Sequence, residues 1–386
     1  MDTLRLDSIS QRLSAGSTRR RMLGALAALP AIGGLVALLG DEAADAKDRR
    51  RRRKQRHRRR NNPGARKRSC RRKPLAKICD GRCGEVKNRH TCGRRIDCGP
   101  CCTPDCGDLT CCGTSCAALQ WDALNCGACG NACPANHVCA GGSCLACTVS
   151  CDAANHVCDG AVLQAALAEG GNVVVCPGRY TGTFSIADHA VVTVVGAGMG
   201  DDPAASTILD AQGAGRTLQT GMWSSSTIRA MRFTGGDALL GGGLHFDSGS
   251  TFTLEHSAVA GNRATGVAGG LHFLGVEGAI TDCLFTGNLS TNAGGAIFSD
   301  GVNLSLRKTT ITRNTAEYGG GIGLVAVKMT LADGTTVTGN TAHQADGGGG
   351  LWGIAGAAVV VEADAVVRGN TPNDCVIEGT LNGVCG

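Results

Sequence analysis

One spacing limits what this chain can become. Asn262, Asn288, Asn314 and Asn340 stand 26 residues apart, and Asn370 follows after 30. The first four each come after a short apolar run and before a glycine pair, in "AGNRATGVAGGLHF", "TGNLSTNAGGAIF", "TRNTAEYGGGIGL" and "TGNTAHQADGGGGLW". Phe233-Thr234-Gly235-Gly236 is an earlier, degenerate copy. The second Gly of each pair falls at 243, 270, 295, 321 and 350. A fixed period of this length means that each unit buries its apolar face only against its neighbours. Seen once, such a stretch could cradle phosphate or calcium. No Gly-Lys-Ser/Thr follows, and the Gly-Gly-x-Gly-x-Asp repeat of a calcium roll is absent.

The columns within the repeat say what each coil contains. Three residues before each Asn stand Phe233, Val259, Phe285, Ile311, Val337 and Val367. After the glycine pair come Leu244, Leu271, Ala296, Ile322 and Leu351, and two residues further Phe246, Phe273, Phe298 and Leu324. Polar neighbours such as Thr234, Thr286, Thr312 and Thr338 alternate with them, which is strand patterning with one side inward. A period near 26 suits one coil of a parallel β-helix, whose strands stack at about 4.8 Å. Only 3% of residues are aromatic, so the interior must be narrow and filled by small and β-branched side chains. In such a stack every corner repeats. Asn is expected at a left-handed turn, bonding to the Asn above and below as a ladder. Glycine is expected where φ > 0 or close backbone approach is needed.

Ahead of the repeat, "CDGAVLQAALAEGGNVVVC" predicts a helix from about Gly160 to Glu169, capped by Asp159 and stopped by Gly170-Gly171, then a strand. This helix-then-strand entry resembles the N-terminal cap of right-handed parallel β-helix proteins of the pectate-lyase-like class. The paired signals, an Asn after an apolar strand and then Gly-Gly-[Ala/Ile/Leu], resemble the repeats of chlamydial polymorphic membrane proteins over about residues 230–372. Those proteins carry a C-terminal outer-membrane barrel, whereas here Asn370 is followed by Thr371-Pro372 and the segment "CVIEGTLNGVCG". The resemblance therefore implies a passenger-like β-helix without autotransport, with Cys375 and Cys385 closing a terminal cap. The expected class is all-β: a right-handed parallel β-helix over 151–386 with a capping helix, preceded by a small disulfide-rich module.

That module, residues 74–150, belongs to a segment dense in cysteine. Of 23 Cys, 19 lie between Cys70 and Cys158, which points to an oxidising, extracytoplasmic home. The odd count leaves at least one thiol free or paired with another chain. Residues 112–144 hold Cys112, Cys116, Cys126, Cys129, Cys133, Cys139 and Cys144, and the core "NCGACGNAC" resembles cysteine-rich modules of the stigma-specific type. A looser copy starts at "CDGRC". With little apolar material, disulfides must stabilise it, though spacing does not fix their pairing. Cys98-Gly99-Pro100-Cys101 matches a thioredoxin motif but lacks the strand-to-helix context. Paired Cys-x-x-Cys units could also hold zinc, but the four-ligand spacing is not clean. No metal and no cofactor is expected.

Residues 1–46 read as a signal peptide: Arg19 to Arg21, an apolar stretch from Met22 to Leu39, and Ala44-Asp45-Ala46 as a cleavage site. Thr18-Arg19-Arg20-Arg21-Met22-Leu23 resembles the twin-arginine export motif. No later apolar stretch is long enough to span a bilayer. Residues 47–73 carry 17 Lys or Arg against one Asp, a segment expected to be disordered. Behind an export signal it serves either as a spacer or as a salt-sensitive anchor to an anionic surface, not as a specific nucleic-acid reader.

For function, two outward columns stand out. Glu255, Arg307 and Asp333 each lie seven residues before their Asn, with Asp282 one step off. They form either an ionic ladder or a saccharide strip. His245, His272 and Trp352 each follow the apolar residue after the glycine pair and could form an outward sugar platform, although Ile297 and Gly323 interrupt it. β-Helix enzymes of the resembled class cleave acidic polysaccharides, but none of their catalytic motifs matches here residue by residue. The expectation is an extracellular or cell-surface binder of carbohydrate or anionic envelope polymer. The alternatives are a polysaccharide lyase or glycoside hydrolase, and a structural adhesin or spacer. The sequence sets no oligomeric state.

Overall fold

The computed structural model describes residues 115–301 and 303–386 without a break, preceded by 74, 85–87, 94–97, 106–107 and 109–113. The signal segment, the basic arm, the Cys98–Cys101 motif and the looser copy at 79–83 lie outside the described residues.

Each coil passes through three strands, and five coils add a fourth. In one coil these are Leu244–Phe246 on a first face, Thr251–Glu255 on a second, Ala258–Ala260 on a third and Arg263–Val267 on a fourth. Leu271–Leu274 then starts the next coil on the first face. Each strand pairs in parallel with its counterpart one coil on. The third face has nine strands, one per coil, and the chain is a right-handed parallel β-helix of about nine turns. The first and second faces merge into one sheet because the long strand Leu351–Val361 runs through both.

The expected inner column exists in register. Phe233, Val259, Phe285, Ile311, Val337 and Val367 are successive partners on the third face, all buried in one continuous core. The core is capped at its start by the helix Ala161–Glu169, which buries Leu163 and Leu167. Asp159 accepts from the Ala161 N–H at 3.0 Å, and Gly170 ends the helix with φ 74°.

The Asn residues form the ladder, with every polar atom engaged. The Oδ1 of Asn288 accepts from both the backbone N–H and the Nδ2 of Asn262, each at 3.1 Å. Its own Nδ2 donates to the Val259 carbonyl and to Asn314 Oδ1, both at 2.9 Å. The same pattern links Asn314 to Asn340 and Asn340 to Asn370. All five are buried. At the far end Asp374 takes the next place, its Oδ1 accepting from the N–H and Nδ2 of Asn370 at 2.8 Å. A carboxylate can only accept, so it suits a terminus with no further coil to donate to.

Two expectations about corners need correction. The left-handed residue is not the Asn but the one before it: Gly235, Gly261, Gly287, Gly339 and Gly369 have φ of 64–68°, and Arg313 fills the position at 57°. The Asn is thereby freed to point inward. At the glycine pair, register places Ile297, not Ala296, beside Leu271 and Ile322, because the coil from Leu271 to Ile297 has 26 residues and the next only 25. Phe298 consequently pairs with His272, and Ser299 takes the place beside Phe273. The invariant glycine here is Gly295 with its equivalents. A Cβ on it would stand 2.1 Å from the Gly320 carbonyl oxygen.

The cysteine module is a pair of short hairpins, Thr110–Cys112 with Ser115–Ala117 and His137–Ala140 with Ser143–Ala146. Its described disulfides are Cys106–Cys116, Cys112–Cys129, Cys126–Cys139 and Cys133–Cys144. No described Cys-x-x-Cys unit closes on itself. Cys147–Cys176 ties the module to the first coil, Cys151–Cys158 braces the helix entry, and Cys375–Cys385 closes the last coil. Among the described residues the free thiol is Cys283, buried in the core, where desolvation pushes its pKa up to about 12.

Candidate ligand-binding groove

The corner between the second and third faces repeats like the others, but its side chains vary. Its left-handed residues are Ala230, His256, Asp282, Lys308 and Asp333, with φ of 44–55°. Asp and His accept this backbone at modest cost, so charge can be carried here without glycine. The preceding position, the last of each second-face strand, holds Arg229, Glu255, Thr281, Arg307 and Ala332 in register. The single charged column read from sequence is therefore two adjacent columns. Glu255 and Arg307 share one, and Asp282 and Asp333 the other.

These columns pair across coils. Arg229 Nε donates to Glu255 Oε2 at 2.6 Å, and Arg307 bonds Asp333. His256 Nδ1 lies 2.8 Å from Asp282 Oδ2. The cysteine module meets this corner directly. Trp121 stacks on the His256 ring with centroids 5.0 Å apart and planes within 9°. Cavities of about 610 and 640 Å³ lie against Trp121, and both also touch Gln120 and Glu255. The larger also reaches His256, Thr281, Asp282 and Lys308. The result is a groove with an aromatic wall, two carboxylates and basic groups, set between a disulfide-held module and a rigid stack. Both carboxylates already have basic partners, so they do not form a free acid and base pair.

Four of the residues expected at a saccharide strip, Glu255, Asp282, Arg307 and Asp333, thus lie along one corner, the first two inside the groove. Trp121, His256, Arg229 and Lys308 were not anticipated. His256 follows Glu255 directly, so the same repeat phase could have found it. Trp121 carries no such signal, because it belongs to a different module.

The other expected column is not a platform. Gln219, His245, His272, Phe298, Gly323, Trp352 and Val376 are successive partners on the first face. They point away from the main core, yet His272 and Trp352 are only 5% exposed. Val267, Ala268, Ala293 and Tyr318, from the segments leading back to the first face, join them in a second apolar cluster. Tyr318 lies against Trp352 with ring centroids 5.1 Å apart. His245 and His272 stack 4.9 Å apart with their Nδ1 atoms at 2.8 Å, so one ring donates to the other. Desolvation first, then the Arg216 charge, lowers the His245 pKa to about 3, and burial holds His272 well below its usual value.

The sulfur atoms of Cys126, Cys133 and Cys144 lie within 4.8 Å of one another, but all three are in disulfides and offer no thiolate to a metal. No helix among the described residues is long and apolar enough to cross a membrane.

The family described as right handed beta helix region matches residues 220–385. No curated protein and no solved structure matches the chain significantly.

Proposed function

We propose that this is an exported or cell-surface protein that binds carbohydrate or another envelope polymer without cleaving it. The reading rests on one observation, the groove where Trp121 stacks on His256 beside Glu255 and Asp282. An aromatic wall with carboxylates and basic groups at fixed spacing suits a polyhydroxylated ligand, which offers C–H faces to rings and hydroxyls to charges. Glu255 is held by Arg229 and Asp282 by a hydrogen bond with His256, which favours binding over hydrolysis, since hydrolysis needs an acid and a base free to act. Disulfides through the module and both ends of the stack agree with export. The basic segment 47–73 would add sequence-blind, salt-sensitive attraction to an anionic surface.

A panel of neutral and acidic glycans tests the reading. At least one should bind, with Trp121→Ala weakening it, and no unsaturated or reducing ends should accumulate. Released ends would make the protein an enzyme. Silence across the panel would remove carbohydrate from the account.

A further inference from the structure

The corner between the first and second faces carries a second irregularity. Its left-handed position is His189, Trp223, Gly249, Gly275, Gly301, Ala326 and Ala355 in successive coils, and Trp223, with φ 59°, is the bulkiest of them. A bulky residue in that conformation is a strained exception, and such exceptions persist where the surroundings fix them. Here they do. The Trp223 N–H donates to the Ser248 carbonyl at 3.2 Å, and Met222 is held on both sides, by Asp188 Oδ1 at 2.9 Å and by the His189 N–H at 2.9 Å.

The strain does not bury the ring, for Trp223 is 62% exposed. A Cβ on Gly249 would lie 2.3, 2.5 and 2.6 Å from three adjacent atoms of the six-membered ring. Near-equal distances to neighbouring ring atoms mean that the face of the indole, not its edge, covers Gly249. The glycine makes room for one face, and the ring is laid flat on the coil with the other face toward solvent. The neighbouring coils each carry a carboxylate, Asp188 with its Oδ1 on the Met222 N–H and Asp247 with its Oδ1 on the Ser248 N–H and its charge felt by Arg216, and each keeps a second oxygen.

We propose that Trp223 is a stacking platform for an uncharged pyranose unit, with Asp188 and Asp247 as acceptors for its hydroxyls. The fixed, flat, exposed indole matches the C–H face of a sugar ring. Two carboxylates beside it disfavour uronic acids, so the ligand is a neutral or N-acetylated hexose polymer. This rests on the saccharide-binding reading above but concerns a different surface, about which the groove says nothing.

The test titrates the full chain with cellohexaose, mannohexaose, chitohexaose and a galacturonate hexamer, and separately with phosphatidylglycerol vesicles. Trp223→Ala should weaken binding of at least one neutral oligomer about tenfold, the size expected for loss of one stacked ring. Trp223→Phe should lose less. Trp223→Gly, which copies the next three coils, relaxes the backbone and keeps the test valid should the Ala variant fold poorly. Unchanged neutral-sugar binding in Trp223→Gly, with Trp121→Ala still defective, overturns the platform and leaves the groove reading intact. An effect on the galacturonate hexamer or the vesicles alone also overturns it. Failure of the wild-type chain to bind any oligomer brings down both readings together.

Discussion

Two corners of the same coil solve the same turn in opposite ways. Between the third and fourth faces the left-handed residue from Gly235 to Gly369 is glycine except at Arg313, and from Gly261 on a buried Asn follows it. Between the second and third faces the left-handed residues are Ala, His, Asp, Lys and Asp; the Ala is buried, and His256, Asp282 and Lys308 line the groove. The first corner repeats because each amide must meet an identical amide one coil away. The second varies because its turn asks only for a tolerable backbone, and the side chains are left to other uses. Sequence constancy in a stacked fold therefore marks the joint, and function is better sought at corners that share the geometry without the constancy.

The sharpest way to break that contrast is to exchange the costs. Asn288→Ala takes the acceptor from the Asn262 N–H and from one Asn262 Nδ2 hydrogen, and the side-chain donor from the Val259 carbonyl, all in a buried site. It should cost about 3–5 kcal/mol in urea unfolding. His256→Ala, at the other corner, should move the midpoint far less. Equal losses would mean that both corners hold the coil. Asp374→Asn should cost little, since the ladder ends there.

Acid offers a second test, from a column that belongs to neither corner. His245 and His272 have folded pKa values below the unfolded value, so the unfolded chain binds protons that the folded chain excludes. Their stabilisation is present above about pH 6.5 and is lost as pH falls toward 3. At pH 4 the loss from His245 alone is about 3 kcal/mol. The paired variant His245→Phe/His272→Phe should flatten the stability curve over that window, and an unchanged slope would refute the burial of the pair.

Next in size, mild reduction should cut the module loose while the stack persists, since each disulfide contributes about 2–4 kcal/mol to a segment with little core. Circular dichroism should keep its β signal while protease cleaves before residue 147. Loss of both together would mean that the stack depends on the module. The smallest effect is Arg313→Gly, which restores the rule at the Asn corner. Relief of the left-handed strain, offset by glycine's added unfolded-state freedom, should change stability by no more than about 1 kcal/mol.

Much of the fold was legible because the ladder imposes its own period. Asn262 through Asn370 could be aligned by eye, and the core column Phe233 to Val367 followed from it. The alignment slipped where the constraint weakens. Ala296 stands where other coils have glycine, so counting from the glycine pair shifts the register by one and puts Phe298 in the core instead of beside His272. The burial of His272 and Trp352 was not legible, because Val267, Ala293 and Tyr318 cover them from irregular segments with no shared pattern. Glu255 and Asp282 were visible as charge, but the groove was not. It depends on Trp121, which reaches the corner from another module across more than a hundred residues of sequence, and no periodicity carries that contact.

The division of labour between the corners is tested most directly by measuring glycan affinity and thermal midpoint on the same variants, Trp121→Ala and Asp282→Asn against Asp374→Asn. The account predicts that the first two lose affinity about tenfold or more with their midpoints nearly unchanged, while Asp374→Asn binds as the wild type does. Intact binding in both Trp121→Ala and Asp282→Asn would contradict it.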